Sequence, residues 1–134
     1  MIDIAERVSE LADEKYCCSQ IVMTIGLEVL QKENEDLVKS MKGLCKGLYC
    51  QNLCGILSAA ACVLSLHMVD YVIVLAPQLV DWFKKQYGSL NCSDLLEWNK
   101  SNPYFCMKMM TETIEYTLQL LEDSELLLEG NRYS

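Results

Sequence analysis

Ile4, Val8 and Leu11 recur at helical spacing among polar neighbours, and the same period returns along almost the whole chain. It predicts a first helix over residues 2–14 and a second over about 17–30, where Ile21, Ile25 and Val29 share a stripe. The polar run QKENED ends the second helix, and Asn34 can cap a short third one through Met41. Glycines at 43, 47 and 55 then break the period and permit positive φ, so KGLCKGLYCQNLCG reads as a loop with closely approaching backbone. A helix follows from about Leu53 to Leu66, with Asn52 as its cap and a run of small residues, Ser58–Ala61, that admits a neighbouring helix. Asp70 can cap the next helix, which Pro77 kinks or restarts and Gly88 ends. A short helix covers 93–98. Asn102 caps a last long helix with Pro103 at its first position and Met107, Met110, Ile114, Leu118 and Leu121 on its apolar side. The remaining methionines, with Trp82, Phe83 and Trp98, read as packing. No strand-period segment is strong enough to build a sheet. The expected fold is all-α: one domain over 1–134, an irregular or orthogonal bundle of five or six helices, with the last ten or so residues frayed.

Bulk composition narrows the function. A chain of 134 residues, 51% apolar, can bury one sizeable core. Its net charge of −8 and scattered basic residues argue against a nucleic-acid surface, which needs clustered Lys and Arg. Leu53–Ala76 is 24 residues long and mostly apolar, enough to cross a bilayer. His67 and Asp70 interrupt it, however, and an Asp at the centre of a span costs about 3 kcal/mol. Two buried helices meeting near His67–Asp70 are therefore expected, with no membrane span. The amphipathic, acidic N-terminus lacks the basic start and apolar stretch of a secretory signal, which points to the cytoplasm. Eight cysteines in that reducing compartment read as free, catalytic or metal-bound rather than as structural disulfides. The acidic surface and the apolar stripe of the first helix leave room for a homodimer.

Four of the cysteines fall where helices should begin: Cys18, Cys54, Cys92 and Cys106. A thiol in a first helical turn meets unpaired N–H groups and the positive end of the helix dipole, both of which favour the thiolate. Cys54 is the strongest candidate. With Cys50 it makes a C-x-x-x-C pair, a weaker signal than C-x-x-C, and Cys45, Cys50 and Cys54 match no standard zinc or iron–sulfur spacing. Cys17 and Cys18 are adjacent, so a bond between them is strained; Cys18 is the reactive one and Cys17 packs. Cys45, Cys50 and Cys62 are assigned to packing or support, Cys62 as a small hydrophobe in mid-helix. His67, the only histidine, reads as a helix-end residue rather than a ligand or base. There is no Walker loop, dinucleotide fingerprint or paired-carboxylate signature.

The segments CCSQIVM (17–23), CGILSAA (54–60), YGSLNCSDLL (87–96) and FCMKMMTETIEYTLQLL (105–121) resemble the redox-active family named for its C_GCAxxG_C_C cysteine pattern. They come in that family's order and spacing and cover nearly the whole chain. The resemblance implies that the hallmark cysteines are Cys18, Cys54, Cys92 and Cys106, with Gly55 beside any cofactor space. The family's Cys-Gly-Ala-x-x-Gly stands here as Cys54-Gly55-Ile56-Leu57-Ser58-Ala59, so Ile56 narrows that space. It also implies a small helical protein encoded near oxidoreductase or transporter genes. Three functions stay open. The first is a thiol-redox protein with a protein redox partner, in which one helix-start thiolate attacks a disulfide and a second resolves it. The second is a binder of zinc or an iron–sulfur cluster through the same four thiolates. The third is a non-catalytic accessory subunit of an oxidoreductase or transporter system.

Overall fold

The structure, a computed structural model, describes residues 2–133, with side chains through Leu128. Within that range the apolar period becomes seven α-helices: α1 (Ile4–Asp13), α2 (Cys18–Val29), α3 (Glu35–Met41), α4 (Gly55–His67), α5 (Val72–Tyr87), α6 (Cys92–Trp98) and α7 (Phe105–Tyr133). The chain is all-α, but the expected count of five or six is corrected to seven among the described residues. The difference lies in α3 and α6. Each spans only seven residues, yet each is anchored by a buried side chain, Met41 and Leu95. The fraying expected for the last ten residues falls partly outside the described residues.

Side-chain caps set the starts of α1 and α3. The Asp3 carboxylate accepts from the Glu6 N–H (3.1 Å) and the Asn34 side chain from the Leu37 N–H (3.0 Å). Asn52 does not cap α4. Its carbonyl accepts from the Cys92 N–H (2.7 Å) while the Cys54 N–H donates to the Leu90 carbonyl (2.8 Å), forming one antiparallel bridge between Leu53 and Asn91. The helix therefore starts at Gly55, with Cys54 at the N-cap. Asp70 likewise makes no cap; it lies in a single 3-10 turn, Val69–Tyr71, that leads into α5. Asn102 accepts from the Tyr104 N–H (3.1 Å) in a turn that precedes α7, so the regular helix begins at Phe105.

α5 continues through Pro77 without a break. The donor that Pro77 lacks would have faced the Ile73 carbonyl in the first turn, and Ile73 is 80% exposed, so water can replace it.

The centre of the bundle is the α2–α4 contact. A Cβ on Gly26 would lie 2.6 Å from a Val63 methyl, and Ala59 and Ala60 are fully buried, so small residues on both helices let them close. α7 packs against both, and α1 covers α2 and α7 with Val8 and Leu11 buried. The apolar stripe of α1 is thus spent inside the chain's own core. α5 adds Leu75, Leu79 and Phe83, and its Trp82 stacks on Tyr116 of α7 at 4.4 Å. Trp98, read as packing, is exposed, because the single buried side chain of short α6 is Leu95. α4 and α5 meet at a bend of 120°, as the interruption at His67–Asp70 predicts. No single helix among the described residues is long and apolar enough to cross a membrane.

Candidate thiol site

Cys17 is the N-cap of α2, and its backbone N–H donates to the Gln20 side chain (3.2 Å), which fixes the helix start. After α3 the chain makes one 3-10 turn, Lys42–Leu44, and reaches Cys45 in extended conformation. Four left-handed residues follow: Lys46, Gly47, Leu48 and Tyr49 have φ between 54° and 62°, and Gln51 has φ 57°. Each non-glycine residue in that conformation costs roughly 1–2 kcal/mol. The return of the chain through α3 and the 3-10 turn brings Cys45 to the start of α2, where it forms a disulfide with Cys17 across a sequence separation of 28, with Cα atoms 6.2 Å apart.

This pairing corrects the assignment of Cys17 and Cys45 to packing. Local spacing carries no sign of a partner that distant. Ser19 also escapes a sequence reading. It is fully buried, and its hydroxyl donates to the Met41 carbonyl (2.9 Å) while lying 2.8 Å from the Cys45 sulfur and 3.7 Å from that of Cys17. It has no distinct signal in the sequence, because α2 also carries the polar residues Gln20, Thr24 and Glu28.

The four helix-start cysteines lie where expected: Cys18 and Cys92 open α2 and α6, Cys54 caps α4, and Cys106 is the second residue of α7. Tertiary contacts bring them together. The Leu53–Asn91 bridge joins the starts of α4 and α6. Phe105 sets its ring edge against Tyr87, whose hydroxyl donates to Glu112 (2.8 Å), and this positions the start of α7. A charge on Cys18 or Cys92 is felt at both Cys54 and Cys106. Cys50 does not join them: the helix begins at Gly55, so the C-x-x-x-C spacing never closes a turn, and Cys50 is exposed. Cys62 is half-buried on α4, and His67 ends that helix with its pKa lowered by burial.

Gly55 is a point of close approach. A Cβ there would come within 2.5 Å of the Leu44 carbonyl oxygen and 3.3 Å of the Cys18 sulfur, so those two atoms occupy the space its missing side chain leaves. Gly55→Ala is expected to cost about 2 kcal/mol, because the nearest neighbour is backbone and cannot rotate away. Urea denaturation of the variant measures this; an unchanged midpoint would mean that the loop yields freely.

The expectation that helix ends lower the thiol pKa values is also corrected. Burial pushes Cys54 from the usual 9.0 up to about 12, although the Ile56 and Leu57 N–H groups point at its sulfur. Cys18 is raised by burial against the pull of the Lys46 and Ser19 backbone N–H groups. Cys92 and Cys106 are raised by burial first and then by neighbouring thiolate charge. Desolvation is the largest influence at each, so all four are neutral thiols at pH 7. Among the described residues no group of three or more His, Cys, Asp or Glu side chains is arranged to hold a metal ion.

A family model described as "Putative redox-active protein (C_GCAxxG_C_C)" matches residues 16–120, a stretch that holds all eight cysteines. The chain belongs to this family. No curated protein and no solved structure matches it. In this C_GCAxxG_C_C protein, Cys18 stands between two groups of sulfurs. It follows Cys17 directly, and the amide that follows Cys45 favours its thiolate. On its other side its sulfur faces Gly55, and its charge is felt at Cys54, Cys92 and Cys106. A disulfide with a free cysteine next to it in sequence suits exchange with an incoming thiolate, since the neighbouring thiols are themselves protonated at pH 7.

Proposed function

We propose that the chain is a thiol–disulfide redox protein whose exchangeable bond is Cys17–Cys45, with Cys18, Cys54, Cys92 and Cys106 as the thiols that exchange with it. The observation that carries this reading is the Cys17–Cys45 disulfide next to the free thiol of Cys18, in a chain of a redox-active family. Opening the bond takes two electrons and two protons from a dithiol, which becomes a disulfide as Cys17 and Cys45 become thiols. A cytoplasmic location supports the reading, since disulfides there are usually transient and catalytic or redox-sensing. The electron donor is then a dithiol protein. For a homodimer, the surface that offers support is exposed Val69, Ile73 and Val74, not the buried stripe of α1.

Anaerobic metal analysis coupled to a thiol count tests this proposal. The reduced protein is expected to show eight thiols. Mild oxidation is expected to leave the six that are free here, reversibly and without stoichiometric metal. Bound zinc or iron that shields the helix-start cysteines would establish the metal-binding reading instead. A thiol count unmoved by oxidant would leave the accessory-subunit reading.

A further inference from the structure

Ser19 is a buried polar side chain in apolar surroundings, and such a group needs a partner. Its hydroxyl proton goes to the Met41 carbonyl (2.9 Å), yet the oxygen also lies 2.8 Å from the Cys45 sulfur. Neither sulfur of a disulfide carries a proton. Of the atoms grouped here, Ser19 Oγ is therefore the one that can donate. The two sulfurs also differ in access: Cys17 is half-buried, whereas Cys45 is 1% exposed.

We propose that Ser19 directs the opening of the disulfide by donating its hydrogen bond to Cys45, which makes Cys45 the leaving sulfur and Cys17 the sulfur attacked. This rests on the proposed redox function and assigns its regiochemistry. A thiolate of the incoming dithiol attacks Cys17 Sγ, forming a mixed disulfide as the Cys17–Cys45 bond breaks. The electron pair of that bond stays on Cys45, and the Ser19 hydroxyl rotates from the Met41 carbonyl to meet the new charge. The dithiol's second thiolate then attacks its own first sulfur in the mixed disulfide. That releases Cys17 as a thiolate, and both cysteines take up protons from solvent. The dithiol leaves as a disulfide, so electrons balance.

The wild-type protein tests the assignment directly. The oxidised chain is treated briefly with 2-mercaptoethanol, quenched in acid, alkylated and mapped by peptide mass. The expected product carries mercaptoethanol on Cys17 and the alkyl label on Cys45; the reverse pattern overturns the proposal. Ser19→Ala is expected to slow reduction by dithiothreitol about tenfold, the effect of losing one hydrogen bond to a charged group. It is also expected to raise the pH midpoint for alkylation of Cys45 in the reduced protein, a readout that a purely structural serine would not move. Ser19→Thr, which keeps the hydroxyl, restores both. A folded Ser19→Ala protein with wild-type rate and midpoint overturns the role of Ser19 and leaves the redox function standing. A wild-type disulfide that dithiothreitol cannot open and re-form reversibly would defeat the redox function itself.

Discussion

Reducing the Cys17–Cys45 disulfide is expected to lower the stability of the fold by about 3.5 kcal/mol. The bond joins residues 28 apart and encloses the whole of α2, the whole of α3 and the 3-10 turn before Cys45. Once it is opened, the unfolded chain recovers the freedom that the closed loop denied it, and the cost grows with the logarithm of the loop length. Urea denaturation of the oxidised and reduced forms measures the difference, which corresponds to roughly 10 °C in Tm for a domain of this size. Cys45→Ser is expected to match the reduced protein. Coincident unfolding curves for the oxidised and reduced forms would show that the bond does not constrain the fold.

Raising the pH from 9 to 12 is expected to cost the reduced protein stability, with Cys54 the largest single contributor. In the fold Cys54 holds its proton up to about pH 12, whereas the unfolded chain releases it near 9.0. The unfolded state therefore sheds protons first. The contribution of Cys54 is fully present below pH 9 and lost as pH rises to 12, on the order of 4 kcal/mol in total. Cys18, Cys62, Cys92 and Cys106 are raised in the same direction and add to the loss. Cys54→Ala is expected to show a distinctly shallower fall of stability with pH. Equal slopes in variant and wild type would contradict the burial of Cys54 as a neutral thiol. The same protonation makes Cys54 slow to alkylate at pH 7.

Much of the scaffold was legible because its signals are local. The apolar period predicts α1 and α2 to within two residues at either end, and the polar break at His67–Asp70 marks the bend between α4 and α5. The positions of Cys18, Cys54, Cys92 and Cys106 near helix starts follow from where the apolar period resumes along the chain. What stayed hidden depends on tertiary contact. Asn52 has the chemistry of a cap, but its carbonyl is taken by Cys92, some forty residues along the chain. Leu48 and Tyr49 adopt positive φ although nothing in their side chains favours it, and the pairing of Cys45 with Cys17 across 28 residues has no local signature either. The direction of the thiol pKa values was misjudged for a related reason. A helix end is visible in sequence, whereas the depth at which it is buried is not.

The central claim, that Cys17–Cys45 is an exchangeable disulfide, is tested most directly by equilibrating the protein in buffers of graded reduced-to-oxidised dithiothreitol ratio. Free thiols are then trapped in acid, alkylated and mapped by peptide mass. Cys17 and Cys45 are expected to gain and lose label together as a two-electron pair, from either direction of approach, while Cys50 and Cys62 stay labelled throughout. Label on Cys17 and Cys45 that never changes, or another pair that oxidises in their place, would contradict the account.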